Sequence, residues 1–250
     1  MYAKWLIFIP WYDYGRRADN QKLKSKRMKR VIFSILVCIS FTVNAQHVER
    51  ELGEFNEVKV HDGIHVELIK SDSNKIEITG EHANEIQLIN NNGLLKIKMK
   101  LKELVDWEET RIKLYFVHLD LIDANEGSRI VSTHNFKQYE LDVRAQEGAR
   151  IELNAETSYL NLKPVTGGII NVSGKVRRQE LSIHAGGIYE GENLVSEVTH
   201  VTIKAAGEAY VNCTKVLDIK LKAGGDVFVY GKPKSVSEDK VFGGRIKYME

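Results

Sequence analysis

From residue 110 onwards, apolar and polar residues alternate in short runs, and no stretch follows the 3.6-residue stripe of an amphipathic helix. Tyr139–Val143, Tyr159–Leu162, Glu180–Ile183, His200–Ile203 and Leu217–Leu221 place every second residue on one face, the period of a half-buried strand. Each run reaches a glycine-bearing turn and is followed by a second apolar-rich run, as in Arg150–Leu153, Ile169–Val172, Ala209–Asn212 and Asp226–Gly231. The amino-terminal third alternates too, over Glu57–Ser71, Lys75–Gly80, Leu94–Leu101 and Arg111–Ile122, with turns at Ser71–Asn74 and Asn90–Gly93. It is less regular, and the charged segment Lys102–Thr110 interrupts it as a loop between strands.

The turns recur. A strand closes on Asp123, Arg144, Lys163, His184, Lys204 or Lys222, at steps of 21, 19, 21, 20 and 18 residues. A small residue follows (Ala124, Ala145, Pro164, Ala185, Ala205, Ala223), and then a glycine: Gly127, Gly148, Gly167, Gly186, Gly207 or Gly224. Six units of about 20 residues, each with two or three short strands, predict an all-β solenoid, because one coil cannot bury its own apolar face and stacking supplies the core. Glycine at the corner supplies a left-handed backbone without a Cβ clash. The small residue before it keeps the corner narrow, and beyond the last corner Val227 and Val229 feed the core.

The first 45 residues belong to a different class of sequence. Lys29 and Arg30, the apolar run Val31–Val43 and the small-residue site Val43-Asn44-Ala45 predict a signal peptide over 28–45, cleaved after Ala45. Residues 1–27 then read as an extension upstream of the true translation start. Residues 1–45 hold nine of the 36 Lys and Arg but two of the 34 Asp and Glu, so the remainder carries 27 basic against 32 acidic residues. That acidic balance argues against a nucleic-acid partner. Of the two cysteines only Cys213 lies outside the leader, which removes disulfides and cysteine-based zinc sites and leaves Cys213 to pack as a small hydrophobe. With three prolines in all and no Ser/Gly-rich linker, 46–250 reads as one extracytoplasmic domain, in the periplasm, on the outer surface or secreted.

Two stretches carry a resemblance: Phe55–Ile97, with "DGIHVEL" at Asp62–Leu68, and the closing "AGGDVFVYGKPKSVSEDKVFGGRI" from Ala223 to Ile246. Together they resemble the bacterial auto-transporter adhesin head, GIN domain family, over nearly all of 53–247. The resemblance implies a right-handed parallel β-helix, export, a Bacteroidetes-like source and an adhesin-like role with no catalytic residues. The charged corners Val143–Gly148 and Lys204–Gly207 depart from it, where relatives often have Ser-Gly.

Three candidate chemistries follow from the residues. "KAGG" at Lys222–Gly225 is not a phosphate loop, because its lysine precedes the glycines and no helix follows. Arg144, Lys163, His184, Lys204 and Lys222, stacked about 4.8 Å apart on one edge, would form a cationic stripe for an acidic glycan or another envelope surface component. Glu126, Glu147, Glu190 and Glu208 stand near enough in sequence to neutralise it. An outward column of Asp120, Asp142, Asn161, Ser182, Thr202 and Asp218 would place two carboxylates together, the minimum for a carbohydrate-active β-helix enzyme. Its remaining rungs favour a solvated face instead. The eight histidines show no metal-ligand spacing, and no cofactor motif is present. A third role, in envelope assembly or stress with a protein partner, would use the strand ends at Gly243–Glu250. The expectation is a non-catalytic binding or surface-structural solenoid.

Overall fold

In the computed structural model the described residues are 47–100 and 110–249, within the unit Ala45–Glu250. The predicted extension over 1–27 and signal peptide over 28–45 lie outside the described residues, as does the segment Lys102–Thr110 up to Thr110 itself. Eight shorter strands come first: β1 His47–Glu51, β2 Glu57–Val60, β3 His65–Lys70, β4 Lys75–Thr79, β5 Ile86–Asn91, β6 Leu94–Met99, β7 Arg111–Phe116 and β8 Leu121–Ala124. Five long ones follow: β9 Arg129–Gln146, β10 Arg150–Val165, β11 Ile169–Ile183, β12 Ile188–Ile203 and β13 Glu208–Ala223. The chain finishes with β14 Asp226–Tyr230, β15 Ser235–Phe242 and β16 Arg245–Tyr248. The architecture is a β-solenoid of about seven turns, as the pattern predicts.

Each long strand bends midway and lies parallel to the next, so it supplies both faces of one coil. On the first face the register runs Arg129, Arg150, Ile169, Ile188, Glu208, Asp226, Arg245. On the second it runs Leu121, Asp142, Asn161, Glu180, His200, Asp218, Ser237. From Asp142 to Arg150, and at every later coil, the corner between the faces spans the same eight residues. The differences in coil length fall on the other side, where the registers shift near Leu153, Ser173 and Leu194. The columns Ile130, Ile151, Ile170, Tyr189, Ala209, Val227 and Val143, Leu162, Leu181, Val201, Ile219 point inward and are buried, as are Val229 and Cys213.

The constant corner explains the glycine. At Gln146–Ala149 the amide of Ala149 donates to the carbonyl of Gln146, and Glu147 and Gly148 have φ of 55° and 74°. That is a type I′ turn, which needs two left-handed residues in succession. The same pair of positive φ values recurs at Glu126–Gly127, Thr166–Gly167 and Ala185–Gly186. From Ala206 onwards the left-handed pair sits one residue closer to the next strand.

The amino-terminal third departs from sequence order. The coil formed by β2 and β3 lies between that of β6 and β7 on one side and that of β8 and β9 on the other, all parallel. Strands β1, β4 and β5 then pair antiparallel on the outer side and cover that end. At the opposite end Glu238 and Lys240 stand in register with the buried Ile219 and Leu221, so charged side chains close the core columns.

A polar cluster lies inside the solenoid between β11 and β13. Gln179, Ser196 and Thr199 are fully buried beside Tyr189. The Tyr189 hydroxyl donates to Gln179 Oε1 at 2.8 Å, and Gln179 Nε2 donates to Thr199 Oγ1 at 2.9 Å. Ser196 Oγ donates to the Asn212 carbonyl at 2.9 Å. Burial pushes the Tyr189 phenol far above its ordinary range, so it stays protonated as the donor.

Candidate functional site

The five corner cations do not form one column, which corrects the predicted stripe. Arg144 and Lys163 are ladder neighbours, and their column continues through Ser182, Thr202 and Lys220. His184 stands beside Val165 and leads a second column through Lys204 and Lys222, each one position beyond the paired Ile183, Ile203 and Leu221. The small residues split in the same way. Ala145 and Pro164 are buried in an inward column, whereas Ala185, Ala205 and Ala223 are exposed. The reason is a two-residue slip at the fourth unit, where the turn begins closer to its glycine.

The two columns are nonetheless neighbours on one face. Residues two apart in a strand are about 7 Å apart and rungs about 4.8 Å, so the stripe becomes a broader patch. Ser182 Oγ lies 3.2 Å from His184 Nε2 and joins the columns. Partial burial, then the ammonium groups of Lys204 and Lys163, hold the His184 imidazole below its ordinary range. Arg144 is paired with Asp142 at 3.2 Å and Lys220 with Asp218 at 3.4 Å. Lys163, Lys204 and Lys222 have no ion-pair partner among the described residues. Two of the glutamates expected to neutralise them are engaged elsewhere: Glu190 lies on the other face near Arg150, and Glu208 accepts the Tyr210 hydroxyl. An open groove of about 260 Å³ runs along the first column, lined by Arg144, Lys163, Ser182 and Thr202 together with the carboxylates of Asp142 and Glu180.

The predicted outward column is corrected as well. Asp142, Asn161 and Asp218 share a column, but its other rungs are Leu121, Glu180 and His200, while Ser182 and Thr202 belong with the cations. Asp120 is engaged elsewhere, with His118 Nε2 at 2.8 Å and Asn56 Nδ2 at 2.7 Å. In the groove Asp142 accepts from Arg144 and from Asn161 at 2.7 Å, and Glu180 lies 3.7 Å from Arg178. Both carboxylates therefore sit against cations, and no aromatic side chain lines the groove to carry a sugar ring. Among the described residues no group of three or more His, Cys, Asp or Glu is placed to hold a metal ion. The hydroxyls of Ser182 and Thr202 were legible only once the register was known.

The family model whose description reads "Putative auto-transporter adhesin, head GIN domain" matches residues 54–233. Among solved structures, a "putative adhesin" from Bacteroides fragilis is 17% identical with a TM-score of 0.76, over 83% of this chain and 98% of that one. A "putative adhesin" from Parabacteroides merdae is 18% identical, with a TM-score of 0.65 over 84% and 98%. A "putative lipid binding protein" from Parabacteroides distasonis is 16% identical, with a TM-score of 0.64 over 84% and 98%. At these identities the likenesses speak to the fold. No curated protein matches the sequence.

Proposed function

Because this chain belongs to the auto-transporter adhesin head, GIN domain family, we propose that it is an exported, non-catalytic, adhesin-like binding protein. Its ligand is an acidic glycan or a similar polyanion of the envelope surface. The observation that carries this reading is the patch itself: three lysines without ion-pair partners and the His184 imidazole, beside the hydroxyls of Ser182 and Thr202. A row of cations with adjacent hydroxyl donors suits sulfate, phosphate or carboxylate groups that repeat along a polymer. The parallel ladder fixes the spacing, so little side-chain positioning is left to the moment of binding.

Binding of a sulfated oligosaccharide, measured by calorimetry at low salt, is expected to fall roughly 10- to 100-fold in a Lys163→Ala, Lys204→Ala, Lys222→Ala variant, with each exposed cation contributing up to about 1 kcal/mol. A neutral dextran should not bind. Unchanged affinity in the variant sinks the patch as the binding site.

The pH dependence has a definite sign. His184 is neutral at and above its ordinary range, because its pKa is lowered, and it adds a positive charge to the patch only on further acidification. Affinity for a sulfated probe, which stays ionised, should therefore rise below about pH 6.5. His184→Gln should flatten that rise without changing affinity at pH 8. A rise that persists in His184→Gln assigns the effect to another group.

A further inference from the structure

The end of the solenoid that closes on β15 carries a pattern that the binding patch does not use. Leu217, Ile219, Leu221 and Ala223 stand in register with Val236, Glu238, Lys240 and Phe242. The last coil thus presents an apolar, an acidic, a basic and an apolar side chain in chain order, the first three over the buried Leu217, Ile219 and Leu221 and Phe242 beyond them over the exposed Ala223. β15 pairs with β13 on one side, and no strand among the described residues lies on its other side. All eight of its residues are exposed, Val236 by 40% and Phe242 by 76%. Glu238 lies 3.7 Å from Lys240 and accepts the Tyr248 hydroxyl at 2.8 Å.

Charges at core positions protect an edge against indiscriminate pairing. Any mixture of charges would do that, so the order needs a separate explanation. It is self-complementary. Two copies of β15 laid antiparallel about Asp239 bring Val236 opposite Phe242 twice and Glu238 opposite Lys240 twice. Sliding the pair by two residues one way sets Glu238 against Glu238, and the other way Lys240 against Lys240. The like charges reject both slips, while the matched register gains two opposite-charge and two apolar cross-strand pairs. On the outward side Asp239 would face Asp239, and each has Lys220 as its ladder neighbour to offset the repulsion.

We propose that β15 is a homotypic interface, through which two copies of this chain associate tail to tail with β15 antiparallel to β15. The contact is isologous, the form that closes as a dimer and does not propagate into a fibre. A single eight-residue edge, with the half-buried Ile246 and exposed Tyr248 of β16 beside it, is a small interface, so association belongs in the micromolar range. The proposal is independent of the anion patch, which lies on coils before the last.

Sedimentation of the purified protein across micromolar to millimolar concentrations tests it. The wild-type chain should pass from monomer to dimer. Lys240→Glu and Glu238→Lys should each weaken the dimer at least tenfold, because either change sets like charges opposite each other at two places. The exchange variant, Glu238→Lys with Lys240→Glu, should restore it, and circular dichroism melts establish that all four proteins are folded. A wild-type monomer throughout the range, a dimer indifferent to the single reversals, or an exchange variant as weak as the singles overturns the interface.

Discussion

Gly174→Ala should lower the stability of the solenoid by at least about 3 kcal/mol, a large share of the 5–15 kcal/mol typical of a domain. Two costs coincide there. Gly174 has φ of 116°, a conformation that residues with a Cβ rarely adopt. A Cβ placed on it would also lie 2.3 Å from the Ala155 carbonyl oxygen and 2.8 Å from Asn154 Oδ1. The first of these is backbone in the coil below, so no side-chain rotation relieves the overlap. The corner glycine Gly167 makes a useful contrast, because its φ is 71° but a Cβ there meets nothing within 4 Å. Gly167→Ala should cost only the left-handed strain of about 1–2 kcal/mol. Urea unfolding of the two variants separates the mechanisms, and equal losses would show that the overlap at Gly174 relaxes away.

Gly174 also shows where the pattern of residues stops being informative. The repeat was legible because the corner glycines recur, and the corner proved to be the constant part of each coil. The slip at the fourth unit was legible too. From the strand-closing residue to the glycine there are four residues at Arg144–Gly148 and Lys163–Gly167, but two at His184–Gly186 and Lys222–Gly224. Counting forward from the glycine keeps the register at Gly148, Gly167, Gly186 and Gly224, where the first ladder position of the next strand lies two residues on, and slips by one at Gly207. The variable side offered no such anchor, so Gly174, lodged between shifted registers, carried no signal of its own.

Other features were hidden for physical reasons. Alternation identifies a strand but not its neighbour, so the placement of β2 and β3 between two later coils could not be read from it. Alternation also treats polar residues as outward. On alternation alone nothing marks Gln179, Ser196 and Thr199 as interior, or Glu238 and Lys240 as the cap on the core columns. The patch suffered least. Arg144, Lys163, His184, Lys204 and Lys222 were all identified, and the structure regroups them from one column into two, adding Lys220 and the hydroxyls of Ser182 and Thr202 to the first.

The internal polar cluster supports the second large effect. Gly191 interrupts an inward column otherwise filled by Leu153, Val172, Val211 and Val229, and a Cβ on it would lie 2.3 Å from the Tyr189 ring. The glycine makes room for the phenol, whose hydroxyl in turn holds Gln179. Gly191→Val alone should overpack this site and cost about 3 kcal/mol or more. Tyr189→Ile alone should cost roughly 2–4 kcal/mol, from the vacated volume and a buried amide left short of a partner. Combined, the two changes reproduce the Ile170 and Val172 pair of the coil below. The double variant should therefore lose less than the sum of the singles by about 2 kcal/mol. Adding Gln179→Leu, which matches Leu160 in the preceding coil, leaves the hydroxyls of Ser196 and Thr199 still able to pair with each other and should recover part of the remainder. Denaturant unfolding of the set reads both couplings. Additive losses at Tyr189 and Gly191 would mean that tyrosine and glycine do not exchange volume, and that the buried hydrogen bonds alone account for the cost.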